Sequence, residues 1–203
     1  MIHFMAASYV AGSRRRPYPG TLRLIRDPGE GRRGAIPDAE RLAPRRPARW
    51  SEFVAAQPRI AEAGRALLYQ YGVGLAFLST IRADGGPRIH PVCPVVDDHG
   101  LYAFLVPSPK REDLHRDPRY ALHSYPADAN EDAFYVTGRA WRVDDVDLRW
   151  AVAGQMARER DFPDPPAELV DQELFEFGIE RCLHTTTSGH GDPNPRHVVW
   201  RAR

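Results

Sequence analysis

Lysine is almost absent: of the 28 Lys and Arg side chains in the 203-residue chain, only Lys110 is a lysine. Cysteine is nearly as scarce. Cys93 and Cys182 fit no Cys-x-x-Cys spacing and read as free thiols, which suits a reducing cytoplasm. No run of about 18 apolar residues occurs, so no membrane span is expected. The first residues place a short apolar run ahead of their arginines, the reverse of the secretory order, and a cytoplasmic protein is expected. No Gly-x-Ser-x-Gly elbow surrounds Ser79 or Ser108 and no cysteine-protease signature surrounds Cys93, so hydrolase chemistry has no support. His184, His190 and His197 match no zinc spacing, and no metal site is expected; a haem ligand among His90, His115 and His123 has no better support.

What is present divides the chain in two. Residues 1–49 carry eleven arginines against four acidic residues, a balance of +7, so the remainder carries −6. This front is rich in Pro, Gly and Arg and poor in large apolar residues, a composition that buries too little surface to offset chain entropy. It reads as a disordered extension ahead of one domain over residues 50–203. Flexible basic segments contact phosphates, but without interleaved aromatics nucleic-acid binding is not the expected role.

The domain opens with a helical pattern. Ser51 suits an N-cap, and Ile60, Ala63, Leu67, Leu68 and Tyr71 recur at three-to-four spacing before Gly72 and Gly74 end it. The period then changes to that of strands. "VGLAFLSTI", "PRIHPVCPVVDD" and "LYAFLVP", separated by "RADGG" and "DDHG", are expected to form an antiparallel meander. "REDLHRDP" follows as a short helix, "RYALHSYP" and "AFYVTGRAWRVDD" as strands, and 147–160 as a helix striped by Leu148, Val152 and Met156. "ELFEFGIERCLHTTT" and "RHVVWRAR" are the closing strands. Mostly antiparallel strand with a few peripheral helices favours a small barrel over a sandwich. Tyr69, Tyr71, Trp141 and Trp150 are expected in the core or at a contact between copies.

The lone lysine stands in "FLVPSPKRED". Ser108 has N-cap chemistry and Pro109 suits the first helical position, which places Lys110 and Arg111 in the first turn. Unpaired N–H groups, a partial positive charge, an ammonium and a guanidinium together suit a phosphate. In "PRIHPV", period two sets Arg88 and His90 on one face and Ile89 and Pro91 on the other. Pro91 and Pro94 remove ladder donors, which marks an edge or a ligand-facing strand.

Taken together, the stretch from "AFLSTIRADGGPRIHPV" through "SPKREDLHRDPRYALHSY" to "FYVTGRAWRVDD" resembles the pyridoxamine 5'-phosphate oxidase-like family of FMN-binding split β-barrels. The resemblance implies a split antiparallel β-barrel, mainly β with peripheral helices. It further implies a homodimer with FMN at the interface and oxidoreductase activity on a small-molecule substrate. Carried onto these positions, Lys110, Ser108 and Arg111 would hold the FMN phosphate. Arg88, Ile89, His90, Pro91 and Val92 would lie along the ring, with Ser79 and Thr80 close by, and Trp200 and His184 would complete the far end from the other subunit. A compact, mobile lysine charge suits a phosphate that the backbone already orients. The C-terminus lacks the arginine-rich pattern of the true oxidases, so oxidation of pyridoxamine phosphate is not expected. Relatives of this shape that use the deazaflavin coenzyme or haem, or that hold no cofactor at all, define the alternatives.

Overall fold

The computed structural model describes residues 46–203. Most of the basic extension therefore lies outside the described residues. Its last four residues lie within them, and there Ala48 exchanges two backbone hydrogen bonds with Ile179, of 2.9 and 2.8 Å. No helix among the described residues is long and apolar enough to cross a membrane.

Two helices lead, α1 (Trp50–Ala56) and α2 (Pro58–Leu68), where the apolar spacing suggested one. Pro58 makes the break: its ring clashes with the preceding turn and it has no N–H to continue the ladder, so α1 stops and Pro58 becomes the first residue of α2. The N-cap is Arg49 rather than Ser51, and its backbone N–H donates to the Glu52 carboxylate at 2.7 Å.

The strands are β1 (Ala76–Ile81), β2 (Pro87–Val92), β3 (Val95–Val96), β4 (Leu101–Leu105), β5 (Arg119–Ser124), β6 (Ala133–Arg142), β7 (Glu173–Thr186) and β8 (Arg196–Arg201). Helix α3 (Pro109–Arg116) joins β4 to β5, and α4 (Val146–Arg158) joins β6 to β7. All pairings are antiparallel, in the order β2-β1-β5-β6-β7-β4-β3, with β8 also on β7. Strand β7 is long enough to pair β4 at Glu173–Glu176 and β8 at Arg181–Thr186. The result is a mainly antiparallel half-barrel with few helices, a split β-barrel.

The expected three-strand meander is not what forms. β1 and β2 make a hairpin around Gly85, whose φ of +84° suits glycine. β4 instead pairs with β3 and β7. Its sequence, LYAFL, is apolar throughout and needs cover on both faces: Leu101, Ala103 and Leu105 join the main core, while Tyr102 and Phe104 pack with Val152, Ala153 and Met156 of α4. A place beside β2 at the rim of the sheet offers no such two-sided cover.

Along β6 the buried positions alternate, with Phe134, Val136, Gly138 and Ala140 inward. Helix α1 turns Trp50 and Phe53 into the core: Phe53 lies 5.5 Å from Trp50, 6.3 Å from Phe134 and 5.0 Å from Trp200, centroid to centroid. Phe53 is 0% exposed, and its neighbour Val54 is 37% exposed. Truncating Phe53→Ala is expected to cost about 3–5 kcal/mol, whereas Val54→Ala should stay within about 0.5 kcal/mol. Urea unfolding of the two variants checks this, and equal losses would mean that α1 does not seat in the barrel.

Candidate functional site

Helix α3 carries the lone lysine at its open end. Ser108 has the extended dihedrals of an N-cap (φ −168°, ψ 157°), yet its Oγ donates to the Val106 carbonyl at 2.8 Å and no side chain caps the first turn. The backbone N–H groups of Arg111 and Glu112 donate to the Ser108 carbonyl at 3.0 and 3.2 Å and Pro109 has none, so Lys110 carries the open N–H of the first turn among the described residues. Lys110 is half-buried, and its ammonium makes no hydrogen bond or ion pair with any described residue. Burial depresses its pKa below the ordinary 10.5, partly offset by the thiol of Cys93, which is exposed in the turn after β2. A half-buried cation at the start of a helix would stabilise an anion placed beside it.

One turn further along, Asp113 ties the helix to the β1–β2 hairpin. Its carboxylate is 3% exposed and takes three donors. Arg88 Nε donates at 2.7 Å and Thr80 Oγ at 2.9 Å to Oδ2, while Arg116 donates at 2.9 Å to Oδ1. Arg116 also donates to the Ile81 carbonyl. Burial alone would raise the Asp113 pKa, but these hydrogen bonds outweigh it and hold the carboxyl below its ordinary 3.8. Arg88 is thereby held through Nε, and its two terminal nitrogens make no hydrogen bond to a described residue. A groove of about 500 Å³ runs between the hairpin turn and α3, lined by Arg82, Asp84, Arg88, Pro109, Glu112 and Arg116 among others.

The sequence-derived candidates fall into separate groups. Thr80 and Arg88 are register partners joined through Asp113 to the helix that bears Ser108 and Lys110. Arg111 is engaged elsewhere: its Nε lies 3.6 Å from Glu112 and 3.9 Å from Glu173, and its Nη1 reaches the Asp171 carbonyl at 3.5 Å. The period-two reading of β2 holds, with Arg88 and His90 half-buried, Ile89 65% exposed and Pro91 exposed. Val92 is buried in the main core. Ser79 pairs with Ile89 on the outer face.

Trp200 turns inward against Phe53, and His184 is half-buried on β7 opposite Phe134. Both lie on the far side of the sheet order from β2, across β1, β5 and β6. Of the four aromatics expected in the core or at a contact between copies, Tyr69 packs against the core and Trp141 donates to Glu176 at 3.1 Å, but Tyr71 and Trp150 are exposed. Asp113 was missed. Its only signal was an acid one turn beyond Lys110 in a helix otherwise rich in Arg.

No family model matches the chain, and no curated protein matches it in sequence. Solved structures do. ChuZ of Campylobacter jejuni superposes with a TM-score of 0.52 at 10% identity, over 68% of this chain and 57% of its own. A haem-binding protein from Mycobacterium smegmatis gives 0.51 at 15% identity, over 68% and 57%. A candidate 5-nitroimidazole antibiotic resistance protein from Bacteroides thetaiotaomicron gives 0.50 at 12% identity, over 60% and 80%. The chain thus spans 57% of the length of the first two. At these identities the likeness shows the fold alone, a split antiparallel β-barrel.

Replacing Asp113→Ala removes the acceptor shared by Arg88, Arg116 and Thr80. The cost should be about 2–4 kcal/mol, toward the lower end because water reaches both arginines. A depressed carboxylate contributes its stability above the unfolded value, and that contribution fades as the pH falls below 3.8. Unfolding free energies measured between pH 7 and pH 3 should therefore converge for wild type and variant at the acid end. Parallel curves would deny Asp113 this role.

Proposed function

We propose that this chain binds FMN and works as a flavin-dependent oxidoreductase on a small molecule, as a homodimer. The observation that carries the reading is the half-buried ammonium of Lys110, without a counter-ion among the described residues, at the uncapped start of α3. These groups fit a phosphate: an ammonium, the open Lys110 N–H in the first turn of α3, and the Arg88 guanidinium held by Asp113 one turn on, whose terminal nitrogens make no hydrogen bond to a described residue. Lys110 and Arg88 would hold the anion, and Asp113 keeps Arg88 oriented toward it. Ser108 can accept a hydrogen bond there but spends its own proton on Val106.

When bound, the flavin supplies the transfer of a hydride or electrons. The chain contributes binding, orientation and a fixed cation, and no side chain is required as an acid or base. A reductase of the deazaflavin coenzyme is the nearest alternative, since a phosphate at Lys110 serves it equally. The Mycobacterium smegmatis neighbour makes haem the third ligand to try.

Titration of the apo protein with FMN, followed by flavin fluorescence, tests the reading beside Lys110→Ala. Loss of one charge-assisted phosphate contact should weaken binding about ten-fold to over a hundred-fold, that is roughly 1.5–3 kcal/mol. Displacement of FMN by the deazaflavin would reassign the coenzyme. Failure of FMN to bind at micromolar concentration, or equal affinity in the variant, would refute the proposal.

A further inference from the structure

Helix α4 presents a patterned face to solvent. At 3.6 residues per turn, Asp147, Trp150, Ala151, Gly154 and Arg158 fall within about 100° of arc, with Val146 at its edge. The other side of the helix is buried: Val152, Ala153 and Met156 join Tyr102 and Leu174 in a second apolar cluster. The outward side of a surface helix is ordinarily polar. Here Trp150 is 58% exposed and Val146 62%, so an indole and an isopropyl group stand in water side by side.

Gly154 has no use within one chain. It stands inside the helix, where glycine is less favourable than alanine. A Cβ there would meet only Nη1 of Arg158, at 3.4 Å, so no close neighbour in the chain requires the gap. Asp147 and Arg158 suit the helix dipole at their respective ends, yet neither side chain makes a hydrogen bond or ion pair with a described residue. The order of these groups is self-complementary. In an antiparallel copy related by a two-fold axis at Val152, each residue meets the one equally far beyond the axis. Trp150 then meets the partner's Gly154, and Asp147 falls within one residue, about 1.5 Å along the axis, of the position opposite the partner's Arg158. Two-fold symmetry makes each of these contacts twice.

We infer that a second copy of this chain docks antiparallel on α4, with each Trp150 seated over the partner's Gly154 and each Asp147 paired with the partner's Arg158. The observation is an exposed indole and an unneeded glycine placed symmetrically about one helix position, between opposite charges. The indole supplies bulk where the facing helix has none, and it leaves water in doing so. Val146, Trp150, Gly154 and Arg158 form one i, i+4 row, and the interlocking of such rows is the commonest mode of helix packing. A parallel copy would set Asp147 against its own equivalent and Arg158 against its own, so the charges select the antiparallel arrangement.

No residue of the candidate flavin site lies on α4, so this face is separate from the flavin reading and each can fail without the other. Sedimentation equilibrium of the full chain tests it on wild type, Asp147→Arg, Arg158→Asp and the double variant. Each single reversal sets like charges across the seam and should weaken one two-fold step of association roughly tenfold or more. The double variant restores opposite charges and should return to within about threefold of wild type, which a merely misfolded variant could not do. Trp150→Ser and Gly154→Leu, which remove the knob and fill the gap, should weaken the same step, with FMN affinity unchanged throughout. Masses unaffected by the single reversals would overturn the inference and leave the face to a partner of another kind. A double variant no better than the singles would overturn it too, as would loss of FMN affinity together with association, which would place the contact at the flavin seam. A chain that binds no FMN and still shows the charge rescue would refute the flavin reading alone.

Discussion

The geometry follows from one constraint of chain continuity. β2 and β3 stand at opposite ends of the hydrogen-bonded order, yet only Cys93 and Pro94 separate them in the chain. Three virtual Cα bonds span no more than about 11 Å. The two ends of the sheet must therefore curl round until they nearly meet, and a sheet so curled has an inside and an outside. Pro94 at the seam, with Pro91 just before it, lacks the N–H that would continue the ladder across the gap. The barrel is closed by the chain and left open by the hydrogen bonds, which is the sense in which it is split.

That inside must be filled, and the aromatic face of α1 fills it. Phe53 and Trp50 meet Phe134 from β6 and Trp200 from β8, so Trp200 packs on the core while the rest of that strand stays exposed. The bulge between Thr137 and Gly138 lets β6 and β7 bend with the barrel. A Cβ at Gly138 would overlap the Gly178 carbonyl, so the close approach there requires glycine. α3 packs at the hairpin end, where Asp113 secures it.

The site is built from one satisfied cluster and one unsatisfied cation. Asp113 meets all of its donors, which makes the hairpin and α3 a rigid frame. Lys110 sits on that frame with no counter-ion among the described residues. A rigid support under a free charge is the arrangement that lowers the cost of ordering a bound anion.

Local chemistry made some of this legible in the residues alone. Period-two alternation separated Arg88 and His90 from Ile89 and Pro91, the Ser-Pro pair started α3 where it starts, and the single lysine marked the open helix end. These readings depend on neighbours within a few positions, which the chain order supplies directly. Partners distant in the chain were not legible. β4 chose β7 over β2 because only there could both of its faces be covered, Trp200 turned inward because α1 needed a partner, and Asp113 gained its role from Thr80 and Arg88 across 33 and 25 positions. The sequence by itself determined the elements and the charge at the head of α3, because those follow from adjacent dihedrals and caps. Only the tertiary structure decided which charges were neutralised and which were left exposed, because neutralisation depends on distance through space.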